Sequence, residues 1–155
     1  MIKKIFFILI LILMAIAVFY AQLIINSILS SIFINIVFIS IFIIARETSS
    51  FKGLWFGFFS GIFMDLITQS NIAIYSLSNS LFGYIIGFFN KRYLSLGVFS
   101  KALLFFIVYF FYLILLNVLK FIANISVNID MKFIFINIIL NTIIYLIISK
   151  LVKKG

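Results

Sequence analysis

The chain has 155 residues, 66% of them hydrophobic and only 10% charged, with a net charge of +9 and a mean hydropathy of +1.40. Soluble domains are about half apolar and a quarter charged, so this inventory excludes a water-facing surface. The length leaves room for one domain. Nearly every segment is apolar on all sides, the pattern of helices that face lipid.

About 20 apolar residues cross the hydrocarbon layer as a helix. The runs between charges and polar clusters predict six such spans, at 5–25, 28–45, 51–68, 72–89, 98–119 and 133–151. Strands are the rival reading because Ile and Phe are abundant, but the runs are long and lack the alternation of a membrane barrel. Unbroken apolar runs in lipid become helices because every backbone polar group must be satisfied internally. The absence of Pro agrees.

The first span follows Lys3 and Lys4 and resembles a signal peptide with Ala15-Ile16-Ala17 at the cleavage position. Its apolar run continues to Ile25, which favours an uncleaved span. Gln22, Asn26, Ser27, Ser30 and Ser31 make a weak break before the second span. A tight turn near Asn26 and Ser27 is preferred there, since one bent helix of about 40 residues would far exceed the bilayer.

The third span carries Gly53, Gly57, Gly61 and Asp65, one every four residues. That spacing puts them on one slowly drifting stripe, and small residues so placed let another helix come close. The fourth span repeats the device with Gly83 and Gly87, with Ser76 and Ser80 on a similar face. The two spans are expected to form a close hairpin around a turn at 69–71. Asp65 falls about 21 Å along its helix from Phe51, near the outer edge of the hydrocarbon. An ionisable residue there is costly; it either bonds the next helix or caps the turn, or else it fixes the position of a partner. Asn35, Asn117, Asn137 and Asn141 also fall within spans, and Asn137, Asn141 and Tyr145 form a stripe on the last one. Their hydrogen bonds, worth roughly 0.6–2 kcal/mol each, are read as knitting the bundle rather than holding a ligand. The alternating segment 125–130 reads as a short amphipathic piece on the outer surface.

Orientation follows from the twelve basic residues. With the N-terminus inside, ten of them (Lys3, Lys4, Arg46, Lys52, Lys91, Arg92, Lys101, Lys150, Lys153 and Lys154) are cytoplasmic. Lys120 and Lys132 alone are outside. This satisfies the positive-inside rule for an even number of spans with both ends in the cytoplasm. The basic residues Arg46, Lys52, Lys91 and Arg92 are read as anchors at anionic headgroups, not as a nucleic-acid surface.

With no His or Cys, and with Glu47, Asp65 and Asp130 as the sole acids, the usual zinc and nucleophile systems cannot be assembled. The expectation is a protein without catalytic, metal or cofactor sites.

The block from Gly57 to Tyr84 resembles the MreD family, integral membrane components of the bacterial rod-shape system. That family's pattern of two glycines and an Asp at four-residue intervals, a polar turn, and a small residue before Tyr reads here as Gly57, Gly61, Asp65 and Gly83-Tyr84. Length, orientation and the basic pair Lys91 and Arg92 agree. The family often has Gly in the turn after the third span, where this chain has Ala73. The matching block covers under a fifth of the chain.

The resemblance implies a non-enzymatic scaffold in the bacterial cytoplasmic membrane. It would work with MreC, the MreB filament, and the RodA glycosyltransferase with its partner transpeptidase in sidewall peptidoglycan synthesis. It also implies a fold similar to the substrate-binding subunits of energy-coupling-factor transporters. The alternative function is therefore a membrane subunit that captures a small solute, for which Ala17 and Ala21 offer a small-residue pair on the first span. Under the first reading Gly57, Gly61, Asp65, Gly83, Tyr84 and Gly87 form the packing motif that displays a surface for MreC. The basic loops either touch MreB or anchor at lipid.

Overall fold

A computed structural model describes residues 2–28, 34–68, 73–89, 97–125 and 131–152. Within them the chain is all-α, with six helices: α1 (Ile2–Ile28), α2 (Ile36–Glu47), α3 (Ser50–Thr68), α4 (Ile74–Phe88), α5 (Val98–Ile122) and α6 (Met131–Val152). Among the described residues three stretches are long and apolar enough to cross a membrane, Leu9–Ile28 in α1, Val98–Ile122 in α5 and Lys132–Leu151 in α6. The expected turn at 69–71, most of the 125–130 piece, and the anchors Lys91 and Arg92 lie outside the described residues.

The first two spans differ from expectation. α1 runs through Asn26 and Ser27 to Ile28, so no turn occurs at that pair. α2 begins only at Ile36 and has 12 residues, a length of about 18 Å against a hydrocarbon layer of about 30 Å. Its start is set by Asn35, whose side chain accepts from the Phe38 N–H at 2.9 Å, an N-cap that a hydropathy window cannot register. α4 is also short, with 15 residues.

Short as it is, α2 sits at the centre. Eight of its twelve residues are buried, from Val37 to Arg46. Its Val37 and Ile41 pack with Leu11 and Ala15 of α1 and Phe56 of α3. Its Phe38, Ile39, Phe42 and Ile43 pack with Phe82 and Ile86 of α4, Phe105, Tyr109 and Tyr112 of α5, and Ile138 and Tyr145 of α6. The rings interlock: Phe105 stacks on Tyr145 at 4.3 Å between centroids, and Phe38 lies 4.2 Å from Tyr112. Such pairs add about 0.5–1.5 kcal/mol each beyond the area they bury.

The periphery is apolar too. On α5 the buried Phe105, Tyr109, Tyr112 and Leu116 are backed by exposed Leu103, Ile107, Phe111, Ile114 and Val118. Water would not tolerate such a face at this scale; lipid does. The chain is built as a membrane protein.

Two helix ends follow from local chemistry. α5 stops in a Schellman motif, with Asn124 at φ 55° and the Ile125 N–H donating to the Lys120 carbonyl at 2.9 Å. α2 ends at Thr48, whose N–H and hydroxyl both donate to the Ile44 carbonyl. Only Thr48 and Ser49 separate α2 from α3, so these two helices fold back on one another.

Candidate functional site

α3 and α4 make the most extensive helix pair in the fold, and their seam is where the sequence is most specific. A β-carbon added to Gly57 would land on the Asn79 carbonyl, and one added to Gly61 on the Ser76 backbone. Gly53 and Gly83 face each other backbone to backbone, and a β-carbon on Gly87 would lie 2.5 Å from Ser50 Cα. Each glycine therefore carries main chain where a methyl would otherwise stand. Gly53 also meets Ala45 of α2, where a new β-carbon would come within 2.6 Å of the alanine methyl. Ser60, wholly buried, turns its hydroxyl back onto the Gly57 carbonyl at 3.0 Å. The expected hairpin of close-packed helices is present.

Asp65 stands at the top of this seam, 9% exposed. Its Oδ1 accepts from the Tyr75 N–H and its Oδ2 from the Ser76 N–H, both at 2.8 Å. Those are the second and third residues of α4, the N–H groups that an N-cap side chain normally satisfies. The residue at the cap position is Ala73, which has no side chain to offer. Asp65 thus caps α4 from the neighbouring helix, and its charge lies where the helix dipole favours an anion. Ala73 itself is left-handed, at φ 42° and ψ 39°, a conformation that favours Gly.

The other motif residues divide. Ser76 and Gly87 lie in the seam, whereas Ser80 is only half-buried at its edge. Tyr84, grouped with the packing motif from sequence, is 47% exposed on the outer face of α4. Beside Leu54, Leu77, Ser80 and Leu81 it lines a shallow groove open to the surroundings. Among the anchors, Lys52 is half-buried near the start of α3. Arg46 is not a headgroup anchor on the surface: it is 2% exposed, donates from Nη1 to the Tyr145 hydroxyl at 3.0 Å, and pairs through Nη2 with Glu47. The end of α2 is exposed at Glu47 and Thr48, so it is the Tyr145 hydroxyl of α6 that holds the Arg46 side chain inward. Ala17 is exposed and Ala21 half-buried on α1.

Sequence reasoning missed Asn79. It is fully buried, accepts from the Tyr112 hydroxyl at 2.8 Å, and leaves its Nδ2 without a partner. The signal was available, since Asn79, Gly83 and Gly87 continue one four-residue stripe. Gln22 was read merely as part of a break. Its Nε2 donates to the Ile34 carbonyl at 2.6 Å, and its Oε1 accepts from the Ile36 N–H at 2.7 Å. From there Asn35 N–H donates to Asn141, Asn141 donates to Asn137, and Tyr109 donates to Asn137 at 3.0 Å. One polar chain therefore ties α1, the start of α2, α6 and α5 together around a piece of non-helical backbone.

Comparison with protein-family models, curated proteins and solved structures finds no match to this chain.

Proposed function

We propose that this chain is a non-catalytic membrane scaffold of the MreD type, which binds MreC and helps organise sidewall peptidoglycan synthesis in the bacterial cytoplasmic membrane. The observation that carries the reading is the α3–α4 seam. Gly57 and Gly61 seat α3 on the backbone of α4, and Asp65 holds the first turn of α4 through Tyr75 and Ser76. These are the residues on which the family resemblance rests. A rigid hairpin of this kind suits a scaffold, because it presents its outer face without rearrangement when a partner binds.

In the proposed topology the chain crosses the bilayer six times with both ends in the cytoplasm, as the split of basic residues indicates. α2 then covers only part of the hydrocarbon. Ile34 and Asn35 continue the crossing as non-helical backbone, satisfied by Gln22 and Asn141. Irregular backbone is tolerated at membrane depth when protein encloses it in this way.

The test is co-purification. Wild-type protein is expected to retain MreC, and Gly61→Leu to lose both MreC and support for rod-shaped growth. Normal recovery of MreC by a folded Gly61→Leu variant would overturn the proposal. So would a tightly held small solute in the purified chain together with no MreC in the pull-down.

A further inference from the structure

The helices do not present bands of equal height to lipid. On α5 exposed apolar side chains run from Val98 to Ile122, about 36 Å along the axis at about 1.5 Å per residue. On α3 they run from Phe51 to Ile67, about 24 Å, and on α4 from Leu77 to its cap residue Phe89, about 18 Å. Neither short band can lengthen along its helix. α4 starts where Asp65 takes the Tyr75 and Ser76 N–H groups, and it ends at Phe89, whose N–H donates back to the Ile86 carbonyl. The neighbouring sequence is polar, with Thr48-Ser49-Ser50 before α3, Gln69-Ser70-Asn71 between the two helices and Asn90-Lys91-Arg92 after them. Nor can the pair slide apart to gain height, because Gly53 meets the Gly83 backbone and Gly61 the Ser76 backbone. Tilt removes only part of the difference. Bringing the α5 band down to the height of α3 needs a tilt of roughly 48°, beyond the range of about 0–40° found for membrane helices. At roughly 34° α5 matches an ordinary layer of about 30 Å, which the α3–α4 hairpin does not reach.

We infer that the lipid-facing side of the α3–α4 hairpin thins the bilayer beside it and so prefers phospholipids with short acyl chains, while the α5 side faces hydrocarbon of ordinary thickness. A span shorter than the layer is accommodated by thinning, at a cost that grows with each Å of mismatch, and chains of matching length avoid that cost. Phe51, Trp55 and Phe58 of α3 and Leu77, Leu81 and Ile85 of α4 make the contact. The inference rests on the proposed topology, in which α3 and α4 both cross. The chain has no Cys of its own, so labelling Phe51→Cys and Thr68→Cys from opposite sides of the membrane reads that crossing by itself. A failed crossing and a failed chain-length preference are thereby told apart.

The single Trp of the chain, Trp55, stands on this face and serves as the probe. The experiment is quenching of its fluorescence by brominated dioleoyl phosphatidylcholine in vesicles holding the full chain, with dimyristoleoyl or dierucoyl phosphatidylcholine as competitor. The headgroup is the same throughout, so only chain length differs. The short-chain lipid is expected to displace the quencher from Trp55 on the order of threefold better than the long-chain lipid, since the mismatch costs a fraction of a kcal/mol per Å over several Å. Trp55→Phe/Phe111→Trp moves the probe to an exposed position on α5, where the short-chain preference should vanish. Equal competition at Trp55, or better competition by the long-chain lipid, would overturn the inference. The same short-chain preference at position 111 would also overturn it, because the whole protein would then match one thin layer. The Trp55 measurement uses the unaltered chain and decides even where the double variant fails to fold.

Discussion

Replacing Asp65 probes the one ionisable side chain whose role the seam defines. It accepts two backbone N–H groups of α4, and a hydrogen bond to a charged group contributes about 1.5–3 kcal/mol. The Ser76 N–H is buried and has no solvent to fall back on, whereas the Tyr75 bond is only part-buried. Taking the lower value for each bond and allowing partial rescue at Tyr75, Asp65→Ala should destabilise the fold by about 2–3 kcal/mol. Asp65→Asn keeps one acceptor and turns an NH2 group toward the other N–H, so it should lose roughly half as much, about 1.5 kcal/mol. The assay is equilibrium unfolding in mixed micelles followed by far-UV circular dichroism, with hydrogen exchange at residues 75 and 76 as the local readout. Exchange at Ser76 should accelerate more than at Ile86, at the far end of the same helix. If both variants unfold within about 0.5 kcal/mol of the parent, the reasoning that Asp65 caps α4 is wrong.

The glycines of the seam predict a steep positional contrast. Gly61→Ala pushes a methyl into main chain rather than into a yielding side chain, and should cost about 3 kcal/mol, the upper end for overpacking. Gly97→Ala, whose added methyl meets open space, should cost less than about 1 kcal/mol, a loss confined to its cap position; equal effects in the same unfolding assay would refute the close approach. Ala73→Gly should stabilise by about 0.5–1 kcal/mol, because it relieves a left-handed alanine while giving up some of its restriction of the unfolded chain. A lower midpoint in that variant would show that the alanine conformation is not strained. Gln22→Leu leaves the Ile36 N–H and the Ile34 carbonyl without their partner and should cost about 2–4 kcal/mol. Faster hydrogen exchange at Ile36, with α3 and α4 unchanged, is the signature to look for.

Much of this protein was legible in order of its chemistry. Composition alone excludes a soluble surface, and the runs of Ile, Leu and Phe demand helices because lipid offers backbone groups no other partner. The stripe of Gly53, Gly57, Gly61 and Asp65 declared a close helix contact through its four-residue period. Such features depend on spacing within one element, so they can be read before the chain folds.

What the tertiary structure decided depends on groups distant in sequence. Asp65 could be read as a costly charge, but its cap on Tyr75 and Ser76 exists only because α3 and α4 lie close enough for a side chain of one to reach the N-terminus of the other. Arg46 looked like a membrane anchor from its place after an apolar run. Tyr145, 99 residues further on, draws it into the bundle. Likewise Gln22 was read as part of a break and Asn141 as part of a stripe on the last span, and together they satisfy the backbone ahead of α2. Apolar spans are local because burial in lipid acts on each helix alone. Polar residues inside a bundle have no such local solution, so their partners are chosen only when the helices meet.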